Sequence, residues 1–261
     1  MPAARRRLDL EIVARGLAPS RERAQVLVRA GAIRVEGERV TRPSALVRSD
    51  ARIVAKTEPE YVGRGAEKLA GALDAFALRV DAWICADVGA STGGFTDVLL
   101  RRHAARVYAI DVGKGQLAWR LRQDARVVVM EGVNVRELVA LPEPLDLVVA
   151  DVSFISLRLA LPPILPSLRT GGHAVALVKP QFEAGPAAVS RGGIVRDPAA
   201  RASAVVGVVD ALARHGLGVQ GIARSAIRGR EGNVEVFCHF VKGAPANALL
   251  DVAARAAAEA E

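Results

Sequence analysis

A glycine-rich segment at residues 87–95, DVGASTGGF, has the residue types of a ligand-binding turn. An apolar run precedes it and a helical pattern follows, which predicts a strand, a sharp turn and a helix. Glycines in such a turn let the backbone approach a ligand closely. Asp111 ends the next apolar run, 22 residues after Gly89, and an acidic residue there can accept hydrogen bonds from both ribose hydroxyls of a nucleoside. The pattern therefore indicates a nucleoside-containing ligand.

Three other kinds of site compete for this segment. A dinucleotide site favours G-x-G-x-x-G, but Ser91 stands where the second glycine would face a pyrophosphate. S-adenosylmethionine has no phosphate, so the serine is compatible with it. Residues 89–93 also match the G-x-S-x-G nucleophile elbow of hydrolases, but they follow the first strand of the predicted sheet, and no histidine offers a triad partner in the expected order. A purely structural turn is disfavoured by Asp111.

Polar residues also follow the next three apolar runs. Asn134 comes after the third run and could meet an adenine ring, while Asp151 and Lys179 follow the fourth and fifth. Taken singly, each is more often a cap or a solvated residue. Because the carboxyl ends of parallel strands meet at one edge of a sheet, we expect these side chains beside the glycine-rich turn. The reactive groups are therefore predicted at that edge.

Alternating strand and helix patterns must position these residues. Apolar, strand-like runs lie at 83–88, 106–110, 126–130, 145–150, 173–178, 217–223 and 233–241. Helical patterns lie at 66–78, 94–103, 114–122, 134–140, 156–168 and 198–214, with an Ala-rich terminal helix at 244–260. The alternation predicts an α/β fold with a doubly wound sheet of seven strands, of which the last two form an antiparallel pair.

The first fifth of the chain differs from the rest in charge and pattern. Residues 1–56 carry 13 Lys and Arg against 6 Asp and Glu, whereas the remainder is nearly balanced within an overall net charge of +8. Helical patterns at 8–16 and 20–30, a hairpin at 33–40 and a strand at 52–55 predict a small α+β module. We expect a polyanion-binding domain at 1–57, a linker at 58–65 and a catalytic domain at 66–261.

Composition disfavours several other classes of protein. No stretch of 18 apolar residues lacks charges, and no signal-peptide core follows the basic N-terminus, so a cytoplasmic protein without membrane association is expected. Cys85 and Cys238 lie singly in apolar runs, which indicates buried thiols rather than a disulfide or a zinc site.

Longer motifs, in the same order, resemble those of the TlyA family over essentially the whole chain. They are RGAEKL at 64–69, DVGASTGGFTD at 87–97, ADVSFISL at 150–157, LVKPQFEAG at 177–185 and RGREGNVEVF at 228–237. Members are often named haemolysins but act as ribosomal RNA 2′-O-ribose methyltransferases with the class I, Rossmann-like fold. The front module is similar to the alpha-L RNA-binding domain shared with a small-subunit ribosomal protein, through Ser20-Arg21 to Gly31 and on to Val35-x-Gly37.

The resemblance implies that a methyl group passes from S-adenosylmethionine to the ribose 2′-oxygen of a cytidine in 23S rRNA. The arm Arg5-Arg6-Arg7 resembles the longer family branch, which modifies 16S rRNA as well. The expected partner is ribosomal RNA in ribosomal subunits, bound by a monomer without a metal ion.

The resemblance also implies roles for individual residues. A Lys–Asp–Lys–Glu tetrad falls on Lys68, Asp151, Lys179 and Glu235. Lys179 would act as the base or orient the 2′-hydroxyl, and Asp151 would position it. The expected cofactor-binding residues are Asp87, Gly89, Ser91, Gly93, Gly94, Phe95, Asp111, Val112, Asn134 and Asp151. The expected phosphate contacts in the front module are Arg5, Arg6, Arg7, Arg21, Arg23, Arg29 and Arg34.

Two further questions stay open at the level of sequence. Phe95, Phe154 and Phe182 lie in motif loops and could stack on the target base or on the adenine, with core packing as the alternative.

The alternative function is that of a ribosome-assembly factor, which would bind RNA through a non-catalytic methyltransferase-like domain. Cofactor binding with turnover would distinguish the enzyme from such a factor. A membrane-active toxin is disfavoured because the sequence offers neither an amphipathic basic helix nor an apolar span.

Overall fold

The computed structural model describes residues 5–29, 31–55, 61–138, 140–229, 231–245 and 251–260. The chain divides into two compact units, Met1–Glu60 and Tyr61–Glu261. Residues 56–60, which span the end of the expected first domain and the start of the expected linker at 58–65, lie outside the described residues. The predicted domain limits at 57/58 and 65/66 therefore remain predictions.

The first unit is a small α+β module. Its elements are β1 (Arg5–Arg7), α1 (Leu8–Ala14), α2 (Arg21–Arg29), β2 (Ile33–Val35), β3 (Glu38–Arg39), β4 (Leu46–Arg48) and β5 (Ile53–Ala55). β1 pairs with β4, and β2 pairs with both β3 and β5, all antiparallel. Helix α2 begins where the Ser20 hydroxyl accepts a hydrogen bond from the Arg23 N–H. The helices and strands pack around an apolar core that includes Leu8, Ile12 and Ile33.

The second unit alternates strands and helices along the chain. Its elements are α3 (Gly65–Ala75), β6 (Ile84–Val88), α4 (Gly94–Arg101), β7 (Arg106–Asp111), α5 (Trp119–Arg122), β8 (Val127–Glu131), β9 (Leu145–Ala150), α6 (Leu157–Ala160), β10 (Leu168–Val178), α7 (Pro180–Glu183), α8 (Pro198–Ala213), β11 (Leu217–Arg224), β12 (Val236–Lys242) and α9 (Val252–Ala260). Within the described residues, seven strands form one sheet in the order β11-β12-β10-β9-β6-β7-β8.

The strand directions in this sheet determine which chain segments meet at the edge formed by the carboxyl ends of the parallel strands. β10, β9, β6, β7 and β8 run parallel, whereas β12 lies antiparallel between β10 and β11. The start of β12 therefore lies beside the carboxyl ends of the parallel strands. The predicted α/β class, the seven strands and the antiparallel terminal pair are confirmed.

Side chains alternate between two apolar layers, one on each face of the sheet. Along β9, Leu147 and Val149 pack with α3 and α4, while Val148 and Ala150 pack with α6 and α8. This alternation is why the central strands read as unbroken apolar runs. Both cysteines are buried and free, as predicted.

Several predicted elements were wrong in extent. The helix expected at 156–168 is α6 followed by a 3₁₀ segment, Pro162–Ser167, because prolines cannot continue an α-helix. The helix expected at 134–140 is a single 3₁₀ turn, Val135–Glu137, with residue 139 outside the described part. The helix expected at 114–122 is confined to α5, and β10 begins five residues before the predicted 173. β1, β4 and α7 were not predicted, and residues 246–250 of the expected tail helix lie outside the described chain.

None of the helices among the described residues is both long and apolar enough to cross a lipid bilayer.

Candidate active site

The turn between β6 and α4 has a backbone that requires glycine at two positions. Gly89 has φ +86°, and a Cβ there would lie 2.5 Å from the Asp151 carbonyl oxygen. Gly93 has φ +96°, and a Cβ there would lie 2.2 Å from a methyl carbon of Leu121. Both positions are therefore closed to side chains for steric as well as conformational reasons. The backbone of the turn can approach a ligand directly.

Asp111 ties this turn to the end of the neighbouring strand. Its Oδ2 accepts a hydrogen bond from the Ser91 N–H at 2.8 Å, and its Oδ1 accepts one from the Gly113 N–H at 2.7 Å. A carboxylate has about four lone-pair sites, so both oxygens can accept further bonds. Asp111 thus both braces the turn and offers acceptors to a ligand.

A cavity of about 380 Å³ opens beside Asp111. Its polar wall includes Gly89, Ser91 and Asp111. Its apolar wall includes Val112, whose side chain is 71% exposed, and Ile155. An acidic group beside an exposed aliphatic surface is suited to a nucleoside, because the carboxylate can bind ribose and the aliphatic groups can cover a base.

A second cavity of about 150 Å³ adjoins the first, since Gly89, Ser91 and Asp151 line both. The rest of its wall consists of Gly65, Ala90, Thr92, Gly94 and Phe95. The first turn of α3 packs tightly here, because a Cβ on Gly94 would lie 3.0 Å from the Ala66 nitrogen.

Lys179 lies at the junction of β10 and α7, next to both cavities. Its Nζ forms an ion pair with Asp151 Oδ1 at 2.6 Å and donates a hydrogen bond to the Ser153 hydroxyl at 2.9 Å. Asp151 and Ser153 both line the larger cavity. Lys179 itself lines neither cavity, but an ammonium group that two wall residues hold in place could act on a hydroxyl bound beside them.

Lys68 and Glu235 form a second charged pair at 2.5 Å. Both are buried, with residue exposures of 9% and 3%. Gly65, one turn before Lys68 on α3, is so close to the first pair that a Cβ there would lie 3.9 Å from Asp151 Oδ2. The four residues expected as a tetrad therefore form two ion pairs on adjoining elements.

Asp87 lies beneath the turn rather than at a cavity wall. It is fully buried, and its Oδ2 accepts hydrogen bonds from the Thr96 N–H and hydroxyl at 2.9 and 2.7 Å, while its Oδ1 has no partner among the described residues. Burial raises the pKa of Asp87 to about 7. Neither Asp87 nor Gly93 lines either cavity, so the geometry supports a role in shaping the turn.

The remaining predicted cofactor residues lie at the larger cavity or beside it. Asn134 lines the cavity and caps the following turn, because its side-chain oxygen accepts the Arg136 N–H at 3.1 Å. Phe95 is buried and packs on Phe237, whereas Phe154 is 92% exposed and its ring lies 5.3 Å from that of Phe182. Phe95 therefore packs in the core and also lines the smaller cavity, whereas Phe154 is free to meet a ligand.

Sequence reasoning missed three residues that shape the site. Ser153 binds Lys179, and its place in the motif ADVSFISL was the available signal. Glu183 is buried and accepts hydrogen bonds from the Ser156 hydroxyl and the Leu157 N–H, which fastens the loop after β9 to α7. Glu131 accepts three backbone N–H groups of residues 115–117, and its ion pair with Arg122 is the main reason why its pKa falls to about 2.

In the first unit, Asp9 engages two of the seven expected phosphate contacts. Arg7 donates two hydrogen bonds to this buried carboxylate, at 3.0 and 2.9 Å, and Arg21 donates one at 3.1 Å. These bonds, led by those from Arg7, hold the pKa of Asp9 well below its usual range. The other five arginines have exposed side chains: Arg5, Arg6, Arg23, Arg29 and Arg34.

No group of three or more His, Cys, Asp and Glu side chains is arranged to hold a metal ion in the part of the chain that the structure describes.

Two family models match the chain in order along its length. The S4 domain model matches residues 6–53, and the FtsJ-like methyltransferase model matches residues 61–242. These two matches agree with the two compact units of the structure.

Individual relatives extend the match to nearly the whole chain. The 16S/23S rRNA (cytidine-2′-O)-methyltransferase TlyA of Mycobacterium tuberculosis is 48% identical, over 90% of this chain and 89% of that protein. Hemolysin A of Brachyspira hyodysenteriae is 38% identical, over 90% of this chain and 99% of that protein. A solved structure of a hemolysin-named protein from Streptococcus thermophilus is 38% identical, covers 99% of this chain and 96% of its own, and superposes with a TM-score of 0.74. This chain therefore belongs to the TlyA family of FtsJ-like methyltransferases that carry an S4 domain.

Proposed function

We propose that this protein transfers a methyl group from S-adenosylmethionine to the ribose 2′-oxygen of a cytidine in 23S rRNA, with 16S rRNA as a second candidate substrate. The main observation behind the proposal is the Lys179 ammonium group, which binds Asp151 and Ser153, two residues in the wall of a nucleoside-sized cavity. The relative from M. tuberculosis is named for this activity on both 16S and 23S rRNA.

The residues around the two cavities fit S-adenosylmethionine. The Asp111 carboxylate can accept hydrogen bonds from ribose hydroxyls, and Val112 and Ile155 offer apolar cover for adenine. The side-chain-free turn at Gly89 allows close approach of the amino-acid part toward the adjoining cavity. No part of the cofactor needs a phosphate-binding turn, which agrees with Ser91 in place of a glycine. When bound, the cofactor supplies an electrophilic methyl group.

The chain's own residues would then prepare the 2′-hydroxyl, which is a very weak acid. As an ammonium group, Lys179 Nζ would orient this hydroxyl. As the base, it would first have to release its own proton to solvent, and the neutral amine would then take up the hydroxyl proton as the new O–C bond forms. Asp151 and Ser153 hold the ammonium group in place, so it has little orientational freedom left to lose when the transition state forms. The pair of Lys68 and Glu235 completes the charged environment from α3 and β12.

The first unit would hold the RNA strand. Its exposed arginines can neutralise phosphates, which gives affinity and salt dependence rather than sequence specificity. Arg7 and Arg21 would contribute less, because they already bind Asp9. We propose residues 1–57 as this RNA-binding domain, 58–65 as the linker and 66–261 as the methyltransferase domain.

The test is methyl transfer from labelled S-adenosylmethionine to unmodified ribosomal subunits, with mapping of the label within the RNA. We expect label at a cytidine 2′-oxygen with the wild type and none with Lys179→Ala. Lys179→Arg keeps the charge but cannot release a proton to become a base, so activity in this variant would exclude Lys179 as the base and leave it an orienting role. Calorimetric binding of the cofactor to all three proteins is the control. Cofactor binding without label on either subunit would instead favour a non-catalytic assembly factor.

A further inference from the structure

A third cavity, lined by arginines, lies on the methyltransferase unit and shares no lining residue with the two cavities of the candidate active site. It has a volume of about 320 Å³ and lies between residues 194–201 and residues 228–234, with Arg230 outside the described residues. Three arginines line it: Arg196, Arg201 and Arg228. No carboxylate is among the described residues of its wall. A cavity with this lining is suited to an anion.

The two segments that form this cavity are fastened together by Asn233, which is 1% exposed. Its side-chain oxygen accepts a hydrogen bond from the Val195 N–H at 3.0 Å, and its side-chain nitrogen donates one to the Gly193 carbonyl at 2.8 Å. Arg228 also donates to the Gly232 carbonyl at 3.2 Å. The cavity walls are therefore fixed before any ligand arrives, which lowers the cost of binding one.

Positive charges crowd around this cavity. Arg201 is 7% exposed and donates hydrogen bonds to the carbonyls of Val195 and Ala260. Burial lowers the pKa of Arg201, and the nearby charges of Arg224 and Arg228 lower it further, against a smaller opposing effect of Asp197. Arg196 and Arg228 are exposed, and neither forms an ion pair with a described residue. A bound anion would relieve this like-charge repulsion.

Along the chain, this cavity adjoins the ion pair of Lys68 and Glu235 in the candidate active site. Val234 lines the cavity, and the next residue along the chain, Glu235, binds Lys68. Both residues precede β12 and so lie at the edge where the parallel strands end. An RNA whose ribose is at Lys179 has phosphates on both sides of that ribose.

We propose that this arginine cavity binds a backbone phosphate of the RNA strand next to the methylated ribose, which rests on the proposed function. Guanidinium groups match phosphate oxygens in geometry and stay charged at all physiological pH values. The second unit thereby contributes its own RNA contact, in addition to those of the first unit, and helps to position the target nucleotide at Lys179.

The test uses the full chain with Arg196→Gln and Arg228→Gln, and Arg214→Gln as the matched control. Arg214 lies at the opposite end of α8, is exposed and loses the same charge. The affinity for an unmodified rRNA fragment is measured by fluorescence anisotropy over a range of salt concentrations. We expect each cavity variant to lower the slope of log affinity against log salt by about 0.7 to 0.9, with the control slope unchanged. Melting temperature and cofactor affinity should match the wild type in all three.

Wild-type slopes in both cavity variants would overturn the proposal. If inorganic phosphate stabilises the wild type but not the variants against heat while the RNA slopes stay equal, the cavity takes a free anion, which also overturns it. Methyl transfer by the wild type is measured separately. If the wild type transfers no methyl group, the proposed function is rejected, and the salt slopes of the cavity variants still test the phosphate site. If it does transfer a methyl group but the salt slopes of both cavity variants equal the wild-type slope, only the phosphate site is rejected.

Discussion

Replacement of Gly89 by alanine tests whether the glycine-rich turn is closed to side chains for the reasons that the geometry gives. A residue with a Cβ at φ +86° is destabilised by about 1–2 kcal/mol through its backbone conformation. The new Cβ would also lie 2.5 Å from the Asp151 carbonyl oxygen. That backbone cannot withdraw easily, because the Asp151 N–H donates to the Val88 carbonyl and β6 pairs with β9 up to this point.

Relief of such an overlap in a packed region costs a further 1–3 kcal/mol, so we expect Gly89→Ala to lose about 2–5 kcal/mol of unfolding free energy. Gly216→Ala is the matched control. Gly216 has φ +78°, but a Cβ there would meet nothing within 4 Å, so the loss should stay at about 1–2 kcal/mol. The displaced turn should also abolish cofactor binding in Gly89→Ala but not in the control.

Urea unfolding gives the two free energies, and calorimetry with S-adenosylmethionine gives the two affinities. The steric interpretation is refuted if Gly89→Ala is no less stable than Gly216→Ala and binds the cofactor with the wild-type Kd. A large loss of stability in both variants would instead assign the whole effect to the backbone angle.

Three further predictions concern single side chains of the site. Lys68→Met leaves the buried Glu235 carboxylate unpaired and should lower the free energy of unfolding by about 3–5 kcal/mol. The double variant Lys68→Met/Glu235→Leu should restore much of this loss in urea unfolding. Equal stability of the single and double variants would contradict the ion pair. Because burial raises the pKa of Asp87 to about 7, the folded chain holds a proton there below about pH 7, whereas the unfolded chain loses it above about pH 4. The free energy of unfolding should therefore fall as the pH rises from about 4 to about 7. Asp87→Asn should lack this part of the pH dependence in urea unfolding at pH 5 and pH 8, and identical profiles would count against it. Phe154→Ala should leave the melting temperature unchanged and weaken RNA binding by about 1–3 kcal/mol if the ring stacks on the target base; a loss of cofactor affinity instead would assign the ring to the adenine, and no change in either would reject stacking.

The sequence was sufficient to predict the sheet and one edge of the site, because both follow from local patterns. Buried parallel strands read as apolar runs, and the residues that follow them meet at one edge whatever the loops do. Asp111, Asp151 and Lys179 could therefore be expected near the glycine-rich turn. Helices rich in proline or shorter than two turns carry little periodicity, which is why 156–168 was predicted as one continuous helix.

Long-range pairings could not be predicted from residue patterns. Lys68 and Glu235 are 167 residues apart, and only the family resemblance indicated that they belong to one network. Likewise, a count of charges predicts an RNA-binding surface in the first unit but cannot show that Asp9 holds Arg7 and Arg21. The partner of a side chain depends on the packing of neighbouring elements, which no local pattern of residue types records.

Because the antiparallel strand β12 is the last strand of the chain, the candidate active site can be completed only late in synthesis. Glu235 is delivered to the active-site edge by the start of this late strand, while the core of the RNA-binding unit is complete once β5 has formed at residue 55. Domains generally fold from the N-terminus as the chain emerges. We therefore expect a nascent chain to fold its first unit about 180 residues before the carboxylate partner of Lys68 is synthesised. The ability to bind RNA would then precede the ability to modify it.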